Sequence, residues 1–101
     1  DGDDFHPEEN VAKMAANVPL TDEDRVEWLN SIHTFVSENT KMESLVFACS
    51  ALKEAYREVL AKDLPVTWVY LEGSFEVIQS RIRQLAIWKK SARFVTSMVC
   101  C

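Results

Sequence analysis

The segment Asp1-Gly2-Asp3-Asp4-Phe5-His6-Pro7 sets three carboxylates and an imidazole directly ahead of a proline. Carboxylates grouped this way can hold Mg²⁺ through water or accept a proton from a hydroxyl. They would do so best at the carboxyl end of a strand in a parallel α/β sheet, where ligands bind. The same residues also read as a solvated acidic loop. A calcium loop of the D-x-D-x-D-G type is excluded, because His6 stands where glycine must be. A second constellation, Leu20-Thr21-Asp22-Glu23-Asp24-Arg25 followed by Trp28-Leu29, reads first as a capped helix with a solvated acidic turn. Arg25 adds a guanidinium that can be aimed at a carboxylate ligand. The third, Cys49-Ser50-Ala51-Leu52-Lys53 with Tyr56 and Arg57, places a hydroxyl, an ammonium and a guanidinium just past an apolar run, the makings of an anion pocket. A cysteine nucleophile would need a base beside it. His6 and His33 could meet Cys49 only through the accident of folding, so Cys49 reads as a buried structural residue.

The elements that must position these groups alternate between helix and strand. Pro7 suits the first position of a helix, with Glu8 and Glu9 in its first turn and Val11, Met14 and Ala15 as its apolar stripe. Asn17, which tolerates the left-handed conformation, predicts its end. Thr21 predicts the N-cap of a second helix over residues 22–38, with Trp28, Leu29, Ile32 and Val36 at helical spacing. Leu45-Val46-Phe47-Ala48-Cys49 reads as a strand covered on both faces. Ser50 is expected to cap a third helix running through Leu60, which Pro65 follows. Val66 to Leu71 reads as a second buried strand, and Gly73-Ser74 turns the chain into a helix starting near Phe75. Strand, helix and strand in this order imply a parallel sheet with helical crossovers.

Composition narrows the classes. The 101 residues are 48% hydrophobic and 27% charged, ordinary for one globular domain. No apolar run approaches the roughly 18 to 20 residues of a membrane-spanning helix. The net charge is −5, with nine acids against Lys13 and Arg25 in residues 1–30 and five unopposed bases in residues 81–101. An acidic chain with so modest a basic tail is a poor nucleic-acid binder. Three cysteines, Cys49, Cys100 and Cys101, do not make a disulfide framework and favour a reducing compartment, most simply the cytosol. Two strands and no initiating methionine lead to the expectation of an internal piece of a larger α/β domain.

Read in order, four motifs resemble the gluconokinase family, the ATP-dependent gluconate kinases of the shikimate-kinase-like branch of P-loop kinases. They are Asp1-x-Asp3-Asp4-Phe5-His6-Pro7 through Lys13-Met14, Pro19 through Leu29, Cys49 through Arg57, and Val69-Tyr70-Leu71-x-Gly73-Ser74-Phe75 through Arg81. The resemblance covers about residues 1–83, taken as a partial gluconokinase domain, with 84–101 as a divergent tail. Its implied fold is α/β, part of a P-loop NTPase-type three-layer parallel sheet flanked by helices, lacking the first strand, the P-loop and the C-terminal elements. Its implied reaction passes the ATP γ-phosphate to the 6-hydroxyl of D-gluconate, with Mg²⁺ as cofactor, in a cytoplasmic enzyme that is a homodimer.

By the same resemblance Asp3 is the acceptor of the substrate-hydroxyl proton and Asp1 the Mg²⁺-associated carboxylate. His6, Lys13, Arg25, Ser50, Lys53 and Arg57 are the substrate-binding set, with Arg25 and Arg57 toward the gluconate carboxylate, and Arg81 stands at the start of the lid that closes over ATP. Asn17 and Glu27 stand where the family usually has glycine and proline. The phosphate-binding sequence G-x-x-x-x-G-K-S/T does not occur in these residues, which leads to the expectation that the chain is inactive alone. A different class, a non-catalytic variant acting as an interaction module, fits the same absence. The tail, with Leu85, Ile87, Trp88, Phe94, Val95 and Met98, is expected to cover one face as a helix and to bring no strand to the sheet. The isolated chain is accordingly expected to be marginally stable and prone to self-association.

Overall fold

A computed structural model gives the architecture and describes the backbone of residues 1–86 and 96–100. A 3-10 turn at Gly2–Phe5 leads into α1 (Glu8–Ala15), α2 (Asp22–Asn39), β1 (Leu45–Cys49), α3 (Glu54–Ala61), β2 (Val66–Val69), α4 (Phe75–Ala86) and β3 (Thr96–Cys100). The helix ends follow local chemistry. Asn17 adopts φ 57, and the backbone closes α1 with Val18 N–H donating to Lys13 O at 2.8 Å and Asn17 N–H to Met14 O at 3.1 Å. This paired closure satisfies carbonyls that the helix end would leave orphaned. Pro7 stands one position before the helix, as its N-cap. Thr21 caps α2 through a reciprocal box: its hydroxyl accepts from Asp24 N–H at 3.2 Å, and the Asp24 carboxylate accepts from Thr21 N–H at 3.0 Å.

Trp28, Leu29, Ile32 and Val36 of α2 are buried against Phe47 and Cys49 of β1, Ala51, and Tyr56 and Leu60 of α3. Their 3.6-residue spacing turns one face of α2 inward. Phe5 joins this core through tilted ring contacts with Phe35 (5.0 Å) and Phe47 (5.6 Å). The expectation that Ser50 caps the third helix is corrected, since α3 starts at Glu54 with Lys53 as its N-cap. Ala51 is buried and Leu52 N–H bonds Ser50 O at 2.9 Å, so a tight turn intervenes before the helix can begin.

The sheet has the order β1-β3-β2, and β3 pairs antiparallel with both neighbours. β1 and β2 therefore run parallel to each other, as the crossover through α3 requires. The α/β class stands, but the sheet is mixed rather than wholly parallel. The register sets Leu45 and Val66 opposite Cys100, and Cys49 opposite Thr96. The tail thus does supply a strand, against the expectation that it would not. A β-strand is stabilised by the partners that flank it, which local composition does not reveal. β2 ends at Val69 rather than Leu71, with Tyr70 and Leu71 exposed, and its inward residues alternate with exposed ones rather than being buried on both faces. Val46 is also exposed, so β1 too has an open face. Ile87, Trp88, Phe94 and Val95, and the side chains of Leu85 and Met98, expected to cover a face of the fold, lie outside the described residues.

Candidate functional site

Two groups of polar side chains flank the carboxyl end of β1. The first surrounds the 3-10 turn. Gly2 is buried so closely that a Cβ there would lie 3.1 Å from Ala48 O and 3.3 Å from Cys49 Sγ. Trp28 Nε1–H donates to Gly2 O at 2.7 Å, fastening the turn to α2 from the other side. Asp1 accepts from Asp3 N–H at 3.0 Å, which orders the acidic run. Asp3 keeps a half-exposed side chain at the rim, its Oδ1 lying 4.0 Å from His6 Nε2. The His6 ring stacks on Trp28 at 4.6 Å and is almost wholly covered. Asn10, buried in α1, links this group to α2 by donating to Asp24 O at 2.7 Å. Lys13 pairs with Asp24 at 2.7 Å, and that hydrogen bond, with the capping bond from Thr21, holds the Asp24 carboxyl below its ordinary value.

The second group joins the amino ends of α2 and α3. Lys53 Nζ donates to both Asp22 oxygens at 2.7 and 2.9 Å, and the Tyr56 hydroxyl donates to Asp22 Oδ1. Arg25 Nη1 donates to Leu20 O at 2.8 Å and to the Tyr56 hydroxyl at 3.3 Å, and lies 4.0 Å from Asp22 Oδ1. Both Arg25 and Lys53 also face the Tyr56 ring, at 5.8 and 5.4 Å from its centroid. The Lys53 hydrogen bond leads the causes that lower the Asp22 carboxyl, and Asp22 in turn raises Lys53. Arg57 donates to Ala51 O at 2.9 Å and Leu52 O at 3.0 Å, bracing the turn after β1.

The structure thus brings Arg25 and Lys53 together, sets the half-buried Ser50 in the adjoining turn that Arg57 of α3 braces, and places Asp3, His6 and Lys13 in the neighbouring group. Arg81 sits exposed on α4, and no hydrogen bond or ion pair described joins it to either group. Among the described residues no group of three or more His, Cys, Asp or Glu side chains could hold a metal ion. Cys49 is a core residue, with its thiol pushed up to about 12 chiefly by burial, and is no nucleophile. Sequence reasoning passed over Asn10 and treated Asp22 as solvent-facing. Their signals were an asparagine four residues after His6, and an acid three residues before Arg25 on one helix face.

The helix-flanked α/β arrangement, with acids and cations gathered past a strand end, is similar to part of a solved sugar kinase. A crystal structure of an unliganded sugar kinase from Janibacter sp. HTCC2649 superposes with a TM-score of 0.62 at 37% identity, over 82% of this chain and 49% of that one. The curated relatives are gluconokinases. The thermoresistant gluconokinase of Escherichia coli (strain K12) is 40% identical over 102 residues, covering 98% of this chain and 55% of that protein. The gluconokinase of Gluconobacter oxydans (strain 621H) is 41% identical over 86 residues, covering 83% and 48%. The chain thus spans about half the length of the relatives it matches. No protein-family model matches it. No helix among the described residues is long and apolar enough to cross a membrane.

Proposed function

We propose that this chain is the acceptor-binding part of a cytoplasmic kinase that passes the γ-phosphoryl group of ATP to the 6-hydroxyl of D-gluconate, giving 6-phosphogluconate. Asp3 takes the hydroxyl proton. Arg25 and Arg57 face the gluconate carboxylate, while Lys13, Ser50 and Lys53 bind its polar groups. Arg81 belongs to the nucleotide side. Phosphoryl transfer depends on positioning and on neutralising charge, and these residues serve the acceptor in both respects. The observation that carries the reading is the seating of Gly2 on the end of β1. It holds the Asp3 turn beside the strand end from which Ser50, Lys53 and Arg57 follow. In the free chain Asp22 neutralises Lys53, so a ligand group that reaches Lys53 must share it with Asp22 or displace that carboxylate.

The test is calorimetric titration of the 101-residue chain with D-gluconate, with D-glucose as the uncharged control. Gluconate should bind and glucose should not, and Arg57→Ala should weaken gluconate binding by about tenfold, as expected for a charge-assisted bond of roughly 1.5 kcal/mol. Equal binding of both sugars, or of gluconate by both forms of the protein, would overturn the assignment. Gluconate-dependent ADP release by the chain alone should be absent, because no G-x-x-x-x-G-K-S/T sequence is present to cradle the phosphates.

A further inference from the structure

Asn10 is a buried polar residue, 2% exposed, and its surroundings determine where a proton sits on His6. Its Nδ2 lies 2.7 Å from Asp24 O. A backbone carbonyl can only accept, so the group facing it must be the amide NH₂, which settles the orientation of the side chain. The same Nδ2 lies 3.3 Å from His6 Nδ1. With the NH₂ group donating there as well, Nδ1 must present its lone pair, and a neutral ring carries its hydrogen on Nε2. That nitrogen faces Asp3 Oδ1 at 4.0 Å. Stacking on Trp28 at 4.6 Å and 11° fixes the plane of the ring.

We propose that Asn10 and His6 are positioning residues for Asp3: Asn10 holds His6 as the Nε2–H tautomer, and that N–H steers one carboxylate oxygen of Asp3 and leaves the other for the acceptor hydroxyl. The inference rests on the reading of Asp3 as the proton acceptor. It assigns His6, whose ring is only 3% exposed, an action on the substrate through Asp3. The separation of 4.0 Å is too long for a hydrogen bond in the free chain. At that distance the charge of the Asp3 carboxylate still polarises the N–H in the free chain, and such contacts commonly shorten further when substrate is bound.

The experiment is ¹⁵N–¹H correlation spectroscopy of the His6 ring in the 101-residue chain at neutral pH, with D-gluconate added at the end. The expected spectrum has a protonated Nε2 and an unprotonated Nδ1. An isolated neutral imidazole also prefers that tautomer, so the deciding readout is the response to two substitutions. Asp3→Asn, at an exposed side chain, should move the Hε2 resonance upfield and leave Nδ1 unprotonated. Asn10→Asp places an acceptor against Nδ1 and should bring a proton onto it. If Asn10→Asp does not fold, the wild-type and Asp3→Asn spectra still decide. A ring protonated at Nδ1 in the wild type, or an Hε2 resonance indifferent to Asp3→Asn, would overturn the proposal. The expected tautomer and Asp3 response without any gluconate binding would support the positioning geometry and refute the gluconate reading alone.

Discussion

Replacing Trp28 by phenylalanine isolates the bond that fastens the Asp3 turn to the body of the fold. Trp28 is 2% exposed, and its Nε1–H donates to Gly2 O at 2.7 Å in a fully buried contact. Phenylalanine keeps an aromatic face for the His6 stack but has no donor. The Gly2 carbonyl is then left without its partner, which costs about 1–3 kcal/mol for a buried polar group. The smaller ring also leaves a void worth about 1 kcal/mol. Together these predict a loss of about 2–4 kcal/mol. A domain of this size loses about 4–8 °C of melting temperature per kcal/mol, so a fall of roughly 8–30 °C is expected by far-ultraviolet circular dichroism. Gly2→Ala pushes a Cβ toward Ala48 O, at 3.1 Å, and strains the same junction from the sheet side. Because the two residues are in contact, their combined effect should be smaller than the sum. A fall below about 3 °C for Trp28→Phe, or strict additivity with Gly2→Ala, would refute the view that this bond anchors the turn.

Three further outcomes follow from the same geometry. Thr21→Ala removes the hydroxyl that accepts from Asp24 N–H and should lower stability by about 1 kcal/mol in chemical denaturation. Asp22 and Asp24 are held below their ordinary value of 3.8, so the stability they contribute is present above that pH and disappears as pH falls through their lower folded values. Lys53 is raised above 10.5, so its share is present below that pH and fades only as pH rises past its folded value. Melting temperature should therefore fall on acidification below about pH 4, and Asp24→Asn should flatten that fall. Cys49, with its thiol pushed up to about 12, should resist iodoacetamide at pH 8 in the native chain and react on unfolding.

Legibility in the sequence tracked the range of the interactions involved. Asn17 ends α1 and Thr21 starts α2 because the deciding groups lie within a few residues of one another. The helical stripe Trp28-Leu29-Ile32-Val36 follows from periodicity, and the bounds of β1 from an apolar run closed by polar residues. Asn10 was opaque because its partner carbonyl, Asp24 O, belongs to another helix, and nothing in the intervening residues announces the meeting. Asp22 looked solvated for a like reason: Lys53 and Tyr56 reach it from α3. Residue type identified Arg25, Lys53 and Arg57 as cations near a strand end. Only the fold reveals that Arg25 and Lys53 converge on Asp22 and Tyr56 while Arg57 turns to backbone carbonyls.

The sheet shows how far local signals carry and where topology takes over. A crossover through α3 makes β1 and β2 parallel, yet it does not oblige them to be neighbours, and they stand one strand apart. Unfilled, that gap would leave the inner edges of both strands with unpaired N–H and C=O groups, the arrangement that invites aggregation. Here β3 occupies it and pairs with both strands, from Leu45↔Cys100 to Cys49↔Thr96 on one side and from Val66↔Cys100 to Val69↔Ser97 on the other. The antiparallel direction of β3 is compatible with both ladders, since either orientation satisfies backbone groups. Trp28, Ile32, Leu60 and Val36, the largest fully buried side chains among the described residues, come from α2 and α3, and the Asp3 turn is seated on β1. Tyr70, Leu71 and Phe75, by contrast, are 75%, 58% and 72% exposed beyond the end of β2. Stability is therefore concentrated in the turn, α2, β1 and α3, the elements that hold the acids and cations, and is thinnest where β2 passes into α4 and Arg81.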